Sequence, residues 1–263
     1  MSAAVLELQH LSLSFGGIRA VRDVSMSVAC GEVCALIGPN GAGKTSLFNL
    51  IGGLYRPSQG RVLLDGVEIS RRAPHEIAAL GIARSFQNIE LVEEADVFEN
   101  LLMGLHCRRQ SSWWQDLLSL PPSRRAERRL RAEVEAMLVR LDLQAHRHTP
   151  VGNLAYGVRK GVELARALLM QPRVLLLDEP SAGLSAEETR RMGKWIRRIV
   201  AATPMAILIV EHDMSLVSQV ADRVVALLQG EVLTMGAPAA VLAHPALIEA
   251  YLGEDFEGCE DGA

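Results

Sequence analysis

The sequence lacks a zinc-binding cysteine pattern. Its four cysteines, Cys30, Cys34, Cys107 and Cys259, include no CxxC pair, so they read as free thiols of a reducing compartment. A basic excess is missing too. Lys and Arg number 27 against 31 Asp and Glu, a formal charge of −4. Nucleic-acid binders usually carry a basic face, so no such partner is expected. Long apolar runs are also absent. Stretches such as Met205 to Val210 are strand-sized, whereas a membrane-spanning helix needs roughly 20 apolar residues. The opening MSAAVLELQH has neither the basic start nor the apolar stretch of a secretory signal. Any work at a membrane is therefore expected to pass through partners. Lysine is scarce as well: Lys44, Lys160 and Lys194 are the only three, and Lys44 stands inside a glycine-rich loop.

What is present fits a single large domain. The chain has 263 residues, of which 49% are apolar, enough to bury a sizeable core. Leu6 to Phe15 alternates apolar and polar residues, the pattern of half-buried strands. Val33 to Ile37 is strand-like and runs into a glycine loop, after which a helical pattern begins at Thr45. Arg61 to Leu64 and Val67 to Ile69 flank Asp65-Gly66, a hairpin signal. Pro74 starts a short helix that Gly81 ends. From Val97 to about Arg147 the pattern is helical and rich in Arg and Glu, interrupted by Ser111 to Pro122. Strands then alternate with helices: Val174 to Leu177, a helix from Ala186 capped by Ser185 and Glu188, Ala206 to Val210, a helix from Met214, and Val224 to Leu228. The tail carries a short helix, Pro245 to Leu252, before an acidic segment. This order predicts an α/β fold. It has a mainly parallel sheet, an N-terminal antiparallel β subdomain and an inserted α-helical lobe. The divisions expected are a core over 1–87 and 171–240, a helical lobe over 88–170, and a C-terminal helix and tail over 241–263.

Three sites carry chemistry. Gly38-Pro39-Asn40-Gly41-Ala42-Gly43-Lys44-Thr45 matches G-x-x-x-x-G-K-[ST] in full, between a strand and a helix. The glycines let main-chain N–H groups turn inward around phosphates. Lys44 reaches the terminal phosphates, and the Thr45 hydroxyl faces Mg²⁺. The following helix, which Ser46 continues, adds its positive end. Second, the strand Val174 to Leu177 ends in Asp178 and Glu179, at the strand tips where parallel sheets place ligands. Asp178 suits a magnesium ion held through water, and Glu179 suits polarisation of an attacking water. Two acids capping the next helix is the plainer explanation, and the complete phosphate loop weighs against it. Third, His212 follows another buried strand. It could meet a γ-phosphate or hold the water, or simply be a histidine satisfied at a strand end.

In order and spacing these motifs resemble the ATP-binding subunits of ABC transporters, and the resemblance covers nearly the whole chain and implies a P-loop NTPase (RecA-like) core. It implies that Phe15 stacks on adenine. Gln87, in ARSFQN, would link the Mg²⁺ site, with Thr45 and Asp178, to the helical lobe. Leu154-Ala155-Tyr156-Gly157-Val158 would be the signature that meets ATP bound by an opposite subunit, and Ser181 to Ser185 the loop that crosses to that subunit. The catalytic set implied is Glu179, His212, Gln87 and Lys44, with ATP and Mg²⁺ as cofactors. More narrowly, WWQDLLSLPPSRRAERR, LAYG, EHDM and the ending AYLGED are similar to the first ATPase of branched-chain amino-acid uptake systems. That resemblance implies a second ATPase subunit, two transmembrane permease subunits, a periplasmic solute-binding protein and a peripheral position on the cytoplasmic face of the plasma membrane. A homodimer of the isolated chain is also open. Urea or amide uptake, lipopolysaccharide export and a non-transport regulatory ATPase are the alternatives. The usual signature is LSGGQ; here Ala155 replaces the serine, Tyr156 a glycine and Val158 the glutamine. Losing one hydrogen bond to a charged group weakens a site by about 1.5–3 kcal/mol, which implies a slower partner site rather than a dead one.

Overall fold

The computed structural model describes residues 4–85, 91–105 and 121–257. Two sheets organise it. β1 (Ala4–Phe15) and β2 (Ile18–Ala29) form a long antiparallel pair. β1 also pairs with β4 (Gln59–Leu64), which continues into β5 (Val67–Glu68). The hairpin between β4 and β5 turns on Asp65 and Gly66, both at positive φ (49° and 78°), as a primed two-residue turn requires. The second sheet has the order β10-β9-β3-β8-β7-β6. Its members are β3 (Val33–Ile37), β6 (Ile82–Ser85), β7 (Val174–Asp178), β8 (Ala206–Val210), β9 (Arg223–Leu228) and β10 (Glu231–Gly236). All its pairings are parallel except β9 with β10. An α/β fold with an antiparallel N-terminal sheet and a parallel-rich sheet is what the sequence pattern predicts.

Two apolar layers enclose the parallel sheet, and strand alternation assigns residues to each. Cys34, Leu36, Val174, Leu176, Leu208 and Val210 face the antiparallel sheet and α1 (Lys44–Ile51), meeting Leu47, Phe48 and Ile51. Val33, Ala35, Ile37, Leu175, Leu177, Ile207 and Ile209 face the opposite layer. That layer draws on α3 (Val97–Gly104), α4 (Pro121–Arg140), α5 (Tyr156–Leu169), α6 (Ala186–Ala202) and α7 (Met214–Val220). On α4, Val134, Met137 and Leu138 carry the buried stripe, which Leu141 continues just past its end, with the i, i+3, i+4, i+7 spacing of an amphipathic helix. On α6 the stripe is Met192, Trp195, Ile196 and Ile199, and Ser185 with Glu188 closes a capping box at its start. α2 (Pro74–Ala79), α8 (Pro238–Leu242) and α9 (Pro245–Glu257) complete the described helices.

The structure departs from the sequence reading at element ends. α9 continues to Glu257 rather than stopping at Leu252; the single Gly253 inside it costs a helix only about 1 kcal/mol relative to Ala, which does not by itself end one. α4 begins at Pro121, so the two prolines occupy a first helical turn, where a missing N–H is harmless. Ser111 to Leu120, with Trp113 and Trp114, lie outside the described residues. β6 has only four residues, and β10, a partly exposed strand at the sheet edge, carries no apolar–polar alternation.

Burial also sets the chemistry of Cys34. It sits wholly inside β3, and burial pushes its thiol up to about 12. At neutral pH it is protonated and shielded, so excess iodoacetamide should leave the Cys34 peptide unmodified in the folded protein and label it in denaturant. Rapid labelling of the native chain, read by peptide mass spectrometry, would contradict the placement of β3.

Candidate active site

The site lies where β3, β7 and β8 end, along one edge of the parallel sheet. β3 runs into a loop whose Gly38, Gly41 and Gly43 have positive φ (149°, 73° and 100°). At Gly43 the constraint is also steric: a Cβ would come within 2.5 Å of the Ala20 carbonyl oxygen. Only glycine combines that backbone angle with that approach. α1 starts directly after it, so the loop's N–H groups and the helix's positive end face the same space.

Ala20, Asn40, Gly41, Ala42, Gly43, Lys44, Thr45, Ser46, Glu179 and His212 line a cavity of about 170 Å³. Lys44 is nearly buried, and its Nζ donates to the carbonyl oxygens of Gly38 (2.5 Å) and Pro39 (2.8 Å). Across the cavity the His212 ring meets Glu179, with Nε2 and Oε1 2.9 Å apart. Glu179 has φ 47°, a left-handed conformation that a non-glycine residue adopts with some strain and that is enriched at functional sites. Its N–H donates to the Val210 carbonyl on the neighbouring strand. A carboxylate held by an imidazole, opposite an ammonium and a nest of N–H groups, is equipped to bind a polyphosphate and polarise a water beside it.

Asp178 is buried at the tip of β7, where Arg84 of β6 donates to its Oδ2 at 2.6 Å. The other arm of that guanidinium donates to Asn49 Oδ1 on α1 at 2.7 Å. Arg84 thus ties the acidic strand end to the helix of the phosphate loop. Glu211, at the end of β8, is buried and accepts from Ser181 and His212. Burial pushes its carboxyl up, opposed by those hydrogen bonds. Asp213 accepts from the N–H groups of Ser215 and Leu216 as the N-cap of α7. Its hydrogen bond with the Ser215 hydroxyl is foremost in holding its carboxyl below the usual range.

The structure therefore brings together Asn40 to Ser46, Glu179 and His212, with Gly38 and Pro39 beneath Lys44 and Asp178 adjoining. Phe15 lies apart from the cavity lining, about half exposed, with its ring edge-on to Tyr55 at 5.1 Å between centroids. Leu154, Ala155, Tyr156 and Gly157 are likewise not in the lining. They form the start of α5, with Ala155 and Tyr156 exposed. Gln87 lies outside the described residues. Sequence reasoning missed Ala20, Arg84, Glu211 and Tyr251, whose phenol oxygen accepts from the Gly38 N–H at 2.9 Å. Glu211 was open to detection, since an acid directly after a buried strand was the signal that marked Asp178. Tyr251 carries no such signal, being 213 residues from its partner.

The ABC transporter family profile matches residues 21–182, a span holding the phosphate loop, the signature-like segment and the acidic strand end. The chain belongs to the ABC transporter family. It is an ATP-binding cassette, with the ATPase activity that this membership entails. It is 39% identical to the high-affinity branched-chain amino acid transport ATP-binding protein BraF of Pseudomonas aeruginosa, over 97% of this chain and 100% of that protein. Identity to the corresponding protein LivG of Escherichia coli K12 is 38% with the same coverage. Among solved structures, the ADP conformation of MJ1267, an ATP-binding cassette of an ABC transporter, superposes with a TM-score of 0.82 at 29% identity. That match covers 96% of this chain and 100% of that one. Among the described residues of this cassette, no helix is long and apolar enough to cross a membrane.

Proposed function

We propose that this cassette hydrolyses ATP to drive a high-affinity importer of branched-chain amino acids. The observation that carries the cargo is the full-length identity of 38–39% to LivG and BraF. The cluster of Lys44, Glu179 and His212 supports the chemistry. In this reading Gly41 to Ser46 bind the phosphates through main-chain N–H groups. Lys44 turns from the Gly38 and Pro39 carbonyls to the terminal phosphates. Glu179 accepts a hydrogen bond from the attacking water, and His212 keeps that carboxylate aimed. Thr45, Asp178 and Gln87 would hold Mg²⁺. The Thr45 hydroxyl and the Asp178 carboxylate are hard oxygen donors of the kind that ion selects. When bound, the ion would neutralise phosphate charge as it develops during hydrolysis. Phe15 would stack on the adenine.

Leu154 to Gly157 would serve the ATP of an opposite cassette in a head-to-tail pair. The exposure of Ala155 and Tyr156 at the start of α5 supports a role outside their own cavity. We read the division of the chain as a core over 1–87 and 171–240, a helical lobe over 88–170 that passes motion to the permease, and a C-terminal part over 241–263. The partners are a second ATPase, two permease subunits and a solute-binding protein, with the cassette on the cytoplasmic face of the membrane. Proteoliposomes holding the assembled transporter should take up radiolabelled leucine only with ATP inside. Uptake of urea or an amide instead, or none of either, would overturn the cargo assignment.

A further inference from the structure

We infer that Glu211 is a positioning residue that couples the loop after Glu179 to the histidine that holds Glu179. The inference rests on the catalytic reading of Glu179 and His212. Glu211 is 1% exposed. Its Oε1 accepts the Ser181 N–H at 2.8 Å, and its Oε2 accepts the Ser181 hydroxyl at 2.8 Å, the His212 N–H at 3.0 Å and the Asp213 N–H at 3.3 Å. One buried carboxylate therefore clamps two loops that leave adjacent strands, β7 and β8. The first loop begins at Glu179, the second at His212, and their side chains meet 2.9 Å apart. The clamp closes a circuit: Glu179, Ser181, Glu211, His212 and back to Glu179.

The bonds of Glu211 are not those of a helix cap. Asp213 already caps α7, accepting from Ser215 and Leu216. Nor does the first loop turn on Glu211, since it is closed within itself by Ala182 N–H to the Glu179 carbonyl and Leu184 N–H to the Ser181 carbonyl. What Glu211 adds is the link between the loops. Three of its four donors are main-chain N–H groups, so it fixes backbone positions whatever the side chains do. Only a carboxylate offers acceptors on both oxygens. In glutamine the amide nitrogen would face at least one of those N–H groups in either orientation. A donor would then be stranded in a buried place. A shift of the Ser181 loop would in turn be felt at His212, which gives the 181–185 segment a mechanical route to the water-polarising carboxylate.

The test compares Glu211→Gln, Ser181→Ala and the double variant with the parent, in the assembled transporter. The readouts are ATP turnover and the affinity for fluorescent trinitrophenyl-ATP. Glu211→Gln should lower kcat roughly ten- to hundredfold, from one stranded buried donor, with nucleotide affinity and KM changed less than about threefold, since the phosphate loop is untouched. Ser181→Ala, a small change with little risk to folding, should lower kcat less, roughly threefold to tenfold. The double variant should fall short of the product of the two, because both act on one clamp. Unchanged kcat in Glu211→Gln, affinity falling in step with kcat, or fully multiplicative effects would each overturn the inference. A parent protein that does not turn over ATP would instead defeat the catalytic reading beneath it.

Discussion

Replacing Glu179 by glutamine should leave ATP binding within about threefold of the parent and cut turnover by about 10²–10⁴-fold, the range for loss of a positioned acid–base group. The substitution preserves volume and backbone demands, and glutamine tolerates the left-handed angle about as well as glutamate (φ 47°). The Glu179 N–H still reaches the Val210 carbonyl, so the loop stays in place. What disappears is the negative charge that polarises a water and that faces the His212 ring. None of the ligating N–H groups of the phosphate loop depends on it. Phosphate release and nucleotide binding measured on the same preparation separate the two effects. Undiminished turnover would remove Glu179 from its assigned role.

Lys44→Ala should act on binding itself. The Lys44 ammonium is nearly buried against the Gly38 and Pro39 carbonyls. An ammonium already stripped of most of its water makes strong contacts with phosphate oxygens. Each lost hydrogen bond to a charged group is worth about 1.5–3 kcal/mol. Nucleotide affinity should therefore fall roughly 10- to 150-fold. The fold itself should persist, because the shape of the loop is kept by Gly43 and by the Leu47 N–H to the Gly43 carbonyl. Fluorescence titration with trinitrophenyl-ATP gives the affinity, and thermal unfolding checks the fold. An unchanged dissociation constant would argue that the loop does not hold phosphate through Lys44.

Much of this site is legible locally. The phosphate loop is a run of consecutive residues whose positive φ angles only glycine adopts freely, so its conformation is written in its own composition. The strand Val174 to Asp178 is buried on both faces and accordingly reads as an unbroken apolar run. The Ser185–Glu188 box and the Asp65-Gly66 turn involve groups two to three residues apart. Other features depend on which strands become neighbours. Arg84 finds Asp178 because β6 lies beside β7 with Arg84 opposite Leu176. Glu211 finds Ser181, 30 residues away, because β7 and β8 are parallel and in register at Asp178 and Val210. The same register puts His212 against Glu179, in the lining of the same cavity. The chain's chemistry was thus readable wherever a short stretch contains all its own partners. Pairings between loops on adjacent strands came only with the tertiary structure, because sheet order and register are settled by the burial of whole strands and leave no mark on the residues at their tips.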